Sequence, residues 1–234
     1  GCTCASDHHY LFTQGLEGSM DVEAEEASAL GLRMTLTRGA LDLASGDGEQ
    51  AVAPRSVIQQ TDAVLDDCTR ILSRYHDRSD GAMLQVALAP NALFDVSFEL
   101  LTETARMSRE TGCALHTHLV ETKAEADFVR SEHGCDAVDF LEKCGWLNER
   151  TWLAHAIHFD DSEIARLGKH GVGICHCPTS NMVLASGTCR TKELEAAGCK
   201  IGLGVDGSAS NDNSNLMESL RHALMLGRLR YGAE

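Results

Sequence analysis

The residues of this chain best suited to chemistry gather around His116-Thr117-His118-Leu119-Val120-Glu121, which closes an apolar run. On a strand, alternation turns His116 and His118 to the same face, a common beginning for a metal site. Taken alone, the pair also fits two histidines at a polar strand end with no ion between them. Its company adds to the signal. Glu121 follows His118 by three residues, within reach of a water as its base, and Asp206 ends the apolar run of Leu203-Gly204-Val205. An acid there is costly to bury unless it is paired or ligated. A hydrolytic metal requires these parts: imidazole and carboxylate ligands, an open position for water, and a base for the proton that water gives up.

Such groups must be delivered by a scaffold. From about residue 32 the chain alternates short apolar runs with amphipathic stretches of helical length, the signature of repeated βα units and a parallel sheet. Strands are expected over 32–37, 83–89, 114–119, 151–157, 171–175 and 200–205. Helices are expected over 56–76, 97–111, 121–132, 137–144, 161–169 and 191–197, with another from about residue 213. Ser97 and the Asp161-Ser162-Glu163 run offer helix N-caps, and the polar, glycine-rich stretch 43–54 reads as a surface insertion. His118, His155, His176 and Asp206 fall at or just past the ends of different expected strands. A closed eight-stranded barrel would collect those ends at one mouth, whereas an open doubly wound sheet would spread them along a line. The expected fold is therefore an α/β chain of the (β/α)8 type.

Composition removes several alternatives. A formal net charge of −15, with no run of Lys or Arg to offset it, opposes a phosphate backbone, so nucleic acid is not an expected partner. No apolar run approaches the ~18 residues that cross a bilayer, and the first residues lack a signal-peptide pattern. A cytoplasmic location, with no membrane partner, is the expectation. Ten cysteines are scattered through apolar segments without a C-x-x-C, which reads as reduced thiols and not as a disulfide or zinc framework. The zinc-dependent cytidine-deaminase pattern, His-x-Glu followed by Pro-Cys-x-x-Cys, is missing from the chain.

Four segments together resemble the successive signatures of the amidohydrolase superfamily: 114–122 (ALHTHLVET), 153–158 (LAHAIH), 176–182 (HCPTSNM) and 204–211 (GVDGSASN). Their order and spacing are similar to the cytosine/guanine deaminase and chlorohydrolase branch. Within that branch, 2–12, 37–41 and 206–212 look most like sequences that act on 8-oxoguanine. The resemblance implies one divalent metal ion, zinc foremost, and hydrolytic deamination of a free purine base, 8-oxoguanine to uric acid and ammonia. It leaves open action on guanine, an adenosine derivative or a triazine, and an inert barrel fragment. A homo-oligomer is compatible with it.

The resemblance also implies roles. His118 is a metal ligand, Glu121 the acid/base that moves a proton from water to the leaving amine, and His155 the group that polarises the attacked ring position or assists proton transfer. Asp206 binds the metal and orients its water, and Arg38 hydrogen-bonds a substrate carbonyl. A rim ion pair is the competing reading of Arg38, because a guanidinium fork suits both jobs. His158 and His176 are expected to support the site and His116 to pack beside it.

Two departures stand out. The family's amino-terminal strand carries a His-x-His that supplies two ligands, and nothing before His116 matches it; the adjacent His8 and His9 would point apart on a strand. Residues 1–234 are thus expected to be the central part of a single barrel domain, lacking the amino-terminal metal-binding strand and the carboxyl-terminal part. Beyond Pro90, the loops at 90–94 and 187–190 also lack prolines found in relatives, which bears on substrate contacts and not on the metal.

Overall fold

The computed structural model describes residues 2–13, 15–44 and 53–233. Its elements, in chain order, are β1 (Cys4–Ser6), α1 (Ser19–Ala29), β2 (Arg33–Ala40), α2 (Thr61–Tyr75), β3 (Leu84–Pro90), α3 (Phe98–Thr111) and β4 (Ala114–Leu119). There follow α4 (Lys123–His133), α5 (Ala137–Cys144), β5 (Thr151–His155), α6 (Asp161–Lys169), β6 (Gly173–His176), α7 (Pro178–Val183), α8 (Thr191–Ala197), β7 (Lys200–Leu203) and α9 (Leu216–Tyr231). Every strand and helix expected from the sequence is present; 114–119, 137–144, 161–169 and 191–197 keep the expected ends and the others are shifted. The expected helix 56–76 is divided into a 3-10 turn at Arg55–Val57 and α2, because Ile58 and Gln60 are extended. The expected insertion 43–54 lies mostly outside the described residues.

The chain forms two compact units, Gly1–Thr117 with Cys144–Trp146, and His118–Lys143 with Leu147–Glu234. In the first, β1, β2, β3 and the start of β4 are parallel neighbours in chain order, with Arg38 opposite Leu88 and Ala87 opposite Ala114. In the second, β5, β6 and β7 are parallel, with Ala154 opposite Cys175 and His176 opposite Leu203. Parallel neighbours need a crossover, and helices supply it each time.

Each unit has its own apolar interior. Leu36, Ile71, Val86, Leu88, Leu100 and Leu115 are buried in the first, and Leu141, Leu153, Leu167, Val172, Ile174 and Leu194 in the second. Burial of a side chain of this size contributes about 1.5–3 kcal/mol. Trp146 is fully buried and satisfies its indole N–H on the carbonyl of Leu101 at 2.8 Å. The helices begin where polar side chains take up free N–H groups: Ser97 accepts from Leu100, Thr122 from Glu125, and Asp160 forms a reciprocal capping box with Glu163.

Glycine is needed where elements touch. A Cβ on Gly168 of α6 would collide with the Ala197 carbonyl of α8. A Cβ on Gly204, just past β7, would stand 2.5 Å from Cys175 Sγ and 3.0 Å from Cys177 Sγ. All ten cysteines are free. No helix among the described residues is long and apolar enough to cross a membrane.

Candidate active site

The chemistry-bearing residues of the second unit sit where strands give way to loops, and the backbone there is unusual. Val120 (φ 46°), His155 (φ 69°), Ala156 (φ 52°) and Asp206 (φ 64°) are non-glycine residues in left-handed conformation. Each costs about 1–3 kcal/mol and persists only where its surroundings hold it. Here the β4 and β5 ends hold one another: Ala156 N–H donates to the Leu119 carbonyl at 3.2 Å, and Ile157 and His158 N–H both donate to the Val120 carbonyl. Beyond β7, the Asn211 side chain donates to the Val205 carbonyl at 2.8 Å, pinning the turn that presents Asp206.

These turns bring four side chains together. His155 Nε2 lies 3.6 Å from Glu121 Oε2 and 3.8 Å from Asp206 Oδ2. Donor atoms of His118, His155 and Asp206 all lie within 4.8 Å of one another. The rings of His118 and His155 stack at 5.4 Å with their planes 19° apart. His155 is 1% exposed, while Glu121 and Asp206 keep 21% and 22% of their side-chain surface and His118 is half-buried, so the cluster is closed around His155 and reachable at its other members.

One short segment supports all three of the other groups. Ser180 Oγ donates to Asp206 Oδ2 at 2.6 Å and lies 2.8 Å from Ser210 Oγ. The Asn181 amide sits 2.9 Å from His155 Nδ1, and Ser186 Oγ donates to Glu121 Oε1 at 2.7 Å. His158 Nε2–H donates in turn to the Ser186 carbonyl at 2.8 Å. The segment is α7 with the loop after it. The sequence shows 176–182 as a family signature but points to a role only for His176 within it, and it gives none to Ser180, Asn181 or Ser186. Neutral polar side chains carry no charge or spacing signal, so only their positions reveal them.

The donor set fits a divalent ion such as zinc: the His118 imidazole and the Asp206 carboxylate, on separate elements, are groups that zinc takes as ligands, with a donor atom of His155 within 4.8 Å of both. Burial alone would push the Asp206 carboxyl up. The Ser180 hydroxyl, the His155 imidazole, the Gly207 N–H and the His118 imidazole together hold it below its ordinary value, as a ligating carboxylate requires. His176 is buried outside the cluster with its Nδ1 unpartnered, and burial followed by its neighbour His155 pulls its pKa down to about 4.

The remaining site candidates lie in the first unit. The His116 ring packs against the His8 ring at 4.4 Å, and His8 Nε2–H donates to the Ala89 carbonyl at 3.1 Å. Arg38 is 2% exposed: Nε bonds Asp67 at 2.5 Å, Nη1 reaches Gln59 at 3.3 Å and the Gly39 carbonyl, and the guanidinium lies 3.8 Å over the Phe12 ring. The ion pair weighed as the alternative for Arg38 is thus present, with Asp67 of α2 as partner.

The amidohydrolase family model matches residues 1–234. The chain is 53% identical to an 8-oxoguanine deaminase of Pseudomonas aeruginosa over 100% of its own length and 52% of the relative's. It is 37% identical to a hydroxydechloroatrazine ethylaminohydrolase of Pseudomonas sp. strain ADP, over 98% of the chain and 47% of that protein. Among solved structures, it superposes on a zinc complex of an atrazine chlorohydrolase from Arthrobacter aurescens with a TM-score of 0.90 at 31% identity, covering 98% of the chain and 50% of that one. The chain therefore spans about half the length of the relatives it matches. With parallel strands alternating with helices, and a His/His/Asp cluster at their ends, the chain belongs to the amidohydrolase family.

Proposed function

We propose that the protein to which this chain belongs removes an exocyclic amino group from a free purine base by hydrolysis, converting 8-oxoguanine and water to uric acid and ammonia. The observation that carries this reading is the convergence of Glu121 and Asp206 on His155 in a chain 53% identical over its whole length to an 8-oxoguanine deaminase. A divalent ion held by His118 and Asp206 supplies Lewis acidity and a nucleophile at neutral pH. The chain's own residues do the rest. Glu121 takes a proton from the attacking water and delivers it to the departing amine, as the new C–O bond forms and the C–N bond breaks. His155 polarises the attacked position, Asp206 orients the water, and Arg38, held in place by Asp67 and Phe12, donates to a ring carbonyl of the base.

In this reading residues 1–234 are the central part of one barrel domain. The reading includes a small-molecule partner and a cytoplasmic location without membrane, in a protein able to self-associate; the acidic balance of the chain supports the exclusion of nucleic acid. The test is a steady-state panel of 8-oxoguanine, guanine, an adenosine derivative and a chlorinated triazine with the zinc-loaded full-length protein. The expected result is the highest kcat/KM on 8-oxoguanine with stoichiometric ammonia. Release of chloride from the triazine without deamination of any purine would refute it.

A further inference from the structure

Asn181 is 1% exposed, and its amide lies against His155 Nδ1 with the amide oxygen buried and unpartnered. A carboxamide can offer either an N–H or a carbonyl edge, and the edge it turns to one imidazole nitrogen decides where the proton of the neutral ring sits. We propose that Asn181 donates its amide N–H to His155 Nδ1, so that Nε2 carries the proton and His155 serves the site as a hydrogen-bond donor and not as a metal ligand. The inference rests on the hydrolytic reading of Glu121, His155 and Asp206. It adds a positioning residue and a division of labour between two histidines.

Two geometric observations carry it. First, His155 Nε2 faces carboxylate oxygens of both Glu121 and Asp206, at 3.6 and 3.8 Å. An N–H is favoured there, whereas a bare lone pair would oppose two anions. The opposite amide orientation would satisfy the Asn181 oxygen but turn that lone pair on them. Second, the other ring nitrogen, Nδ1, meets the Asn181 amide nitrogen at 2.9 Å, so the ring's acceptor edge is taken there and the proton is left to Nε2. A protonated Nε2 has no lone pair to give. The closeness of donor atoms on His118 and His155, within 4.8 Å, therefore does not make both of them ligands.

The experiment is long-range 1H–15N correlation NMR on the full-length protein with 15N-labelled histidine, at mildly alkaline pH, with and without zinc. His155 is assigned by its disappearance in His155→Gln. The expected pattern is an unprotonated Nδ1 and a protonated Nε2, unchanged by zinc. Asn181→Asp has the same shape but can only accept when ionised. It is expected to move the proton to Nδ1 and to lower turnover by about 10–100-fold with zinc content retained. A protonated Nδ1 in the wild type, a zinc-dependent shift of Nε2 typical of a ligand, or an unchanged tautomer in Asn181→Asp overturns the proposal. Should that variant fail to fold, the wild-type spectrum decides alone. A wild type with the expected tautomer but no deamination sinks the functional reading and spares this one; an active enzyme with Nδ1 protonated does the reverse.

Discussion

The two units treat their polar groups differently. In the first, charged side chains near the strand ends are closed off. Arg38 is bound by Asp67, Gln59 and a carbonyl; Asp42 accepts from Ser97 and Thr61; Asp95 accepts from Asn91 at 2.5 Å and from Ala92 N–H at 3.0 Å. In the second, Glu121 and Asp206 each spend one oxygen on a serine and stand 3.6–3.8 Å from His155, too far for a closed hydrogen bond. Four left-handed non-glycine residues hold that arrangement. Satisfied polar groups stabilise a fold, whereas groups held together with spare capacity are available to a ligand.

Removing a group from the open cluster should abolish function, while removing one from the closed set should chiefly change stability. The largest effect is expected for Asp206→Ala in the full-length protein: loss of activity together with loss of bound metal by elemental analysis. His176→Ala, outside the cluster, should keep the metal, and the reverse ranking of the two variants would show that ligand and support have been exchanged.

Arg38→Met sharpens the contrast, because this residue combines a closed set of partners with a proposed substrate contact. If the contact is made, kcat/KM for 8-oxoguanine should fall about tenfold or more, corresponding to ~1.4 kcal/mol of transition-state binding. Thermal stability, measured alongside, separates the roles. An unchanged kcat/KM with a lower melting temperature would leave Arg38 as the partner of Asp67 alone.

The smallest effect concerns pH and stability. Burial raises the Asp95 carboxyl to about 7, against the donors Asn91 and Ala92 that favour its charged form. Its folded pKa lies above the unfolded value of 3.8, so the native state binds the extra proton between those limits and loses stability as pH rises through them. Asp95→Asn removes that titration. The difference in melting temperature, variant minus wild type, should grow from pH 4 to pH 7 and level off above. A difference independent of pH would contradict the assignment.

Much of this was legible in residue order. The strand runs and the helices with clear caps were readable because apolar periodicity and N-cap chemistry are local, and His118, Glu121, His155 and Asp206 stood out as ionisable groups ending apolar runs. Other features left little trace. Helix α1 buries only Met20, Ala24 and Ala27 on an otherwise acidic surface, too faint a stripe to read. The six-residue α7 is shorter than any periodicity test can resolve. The left-handed turn at Val120 runs against the preference of a β-branched residue and is imposed by its neighbours. Ser180, Asn181 and Ser186 act through distance alone, which no single sequence displays.

The central claim, that Glu121 moves protons in a site whose metal is held by other residues, is tested most directly by Glu121→Gln in the full-length protein. Metal content by elemental analysis and turnover of 8-oxoguanine are measured on the same preparation. The account predicts wild-type metal occupancy with turnover reduced about 10²–10⁴-fold, the usual cost of losing a general acid/base. Near-normal turnover at full occupancy would contradict it.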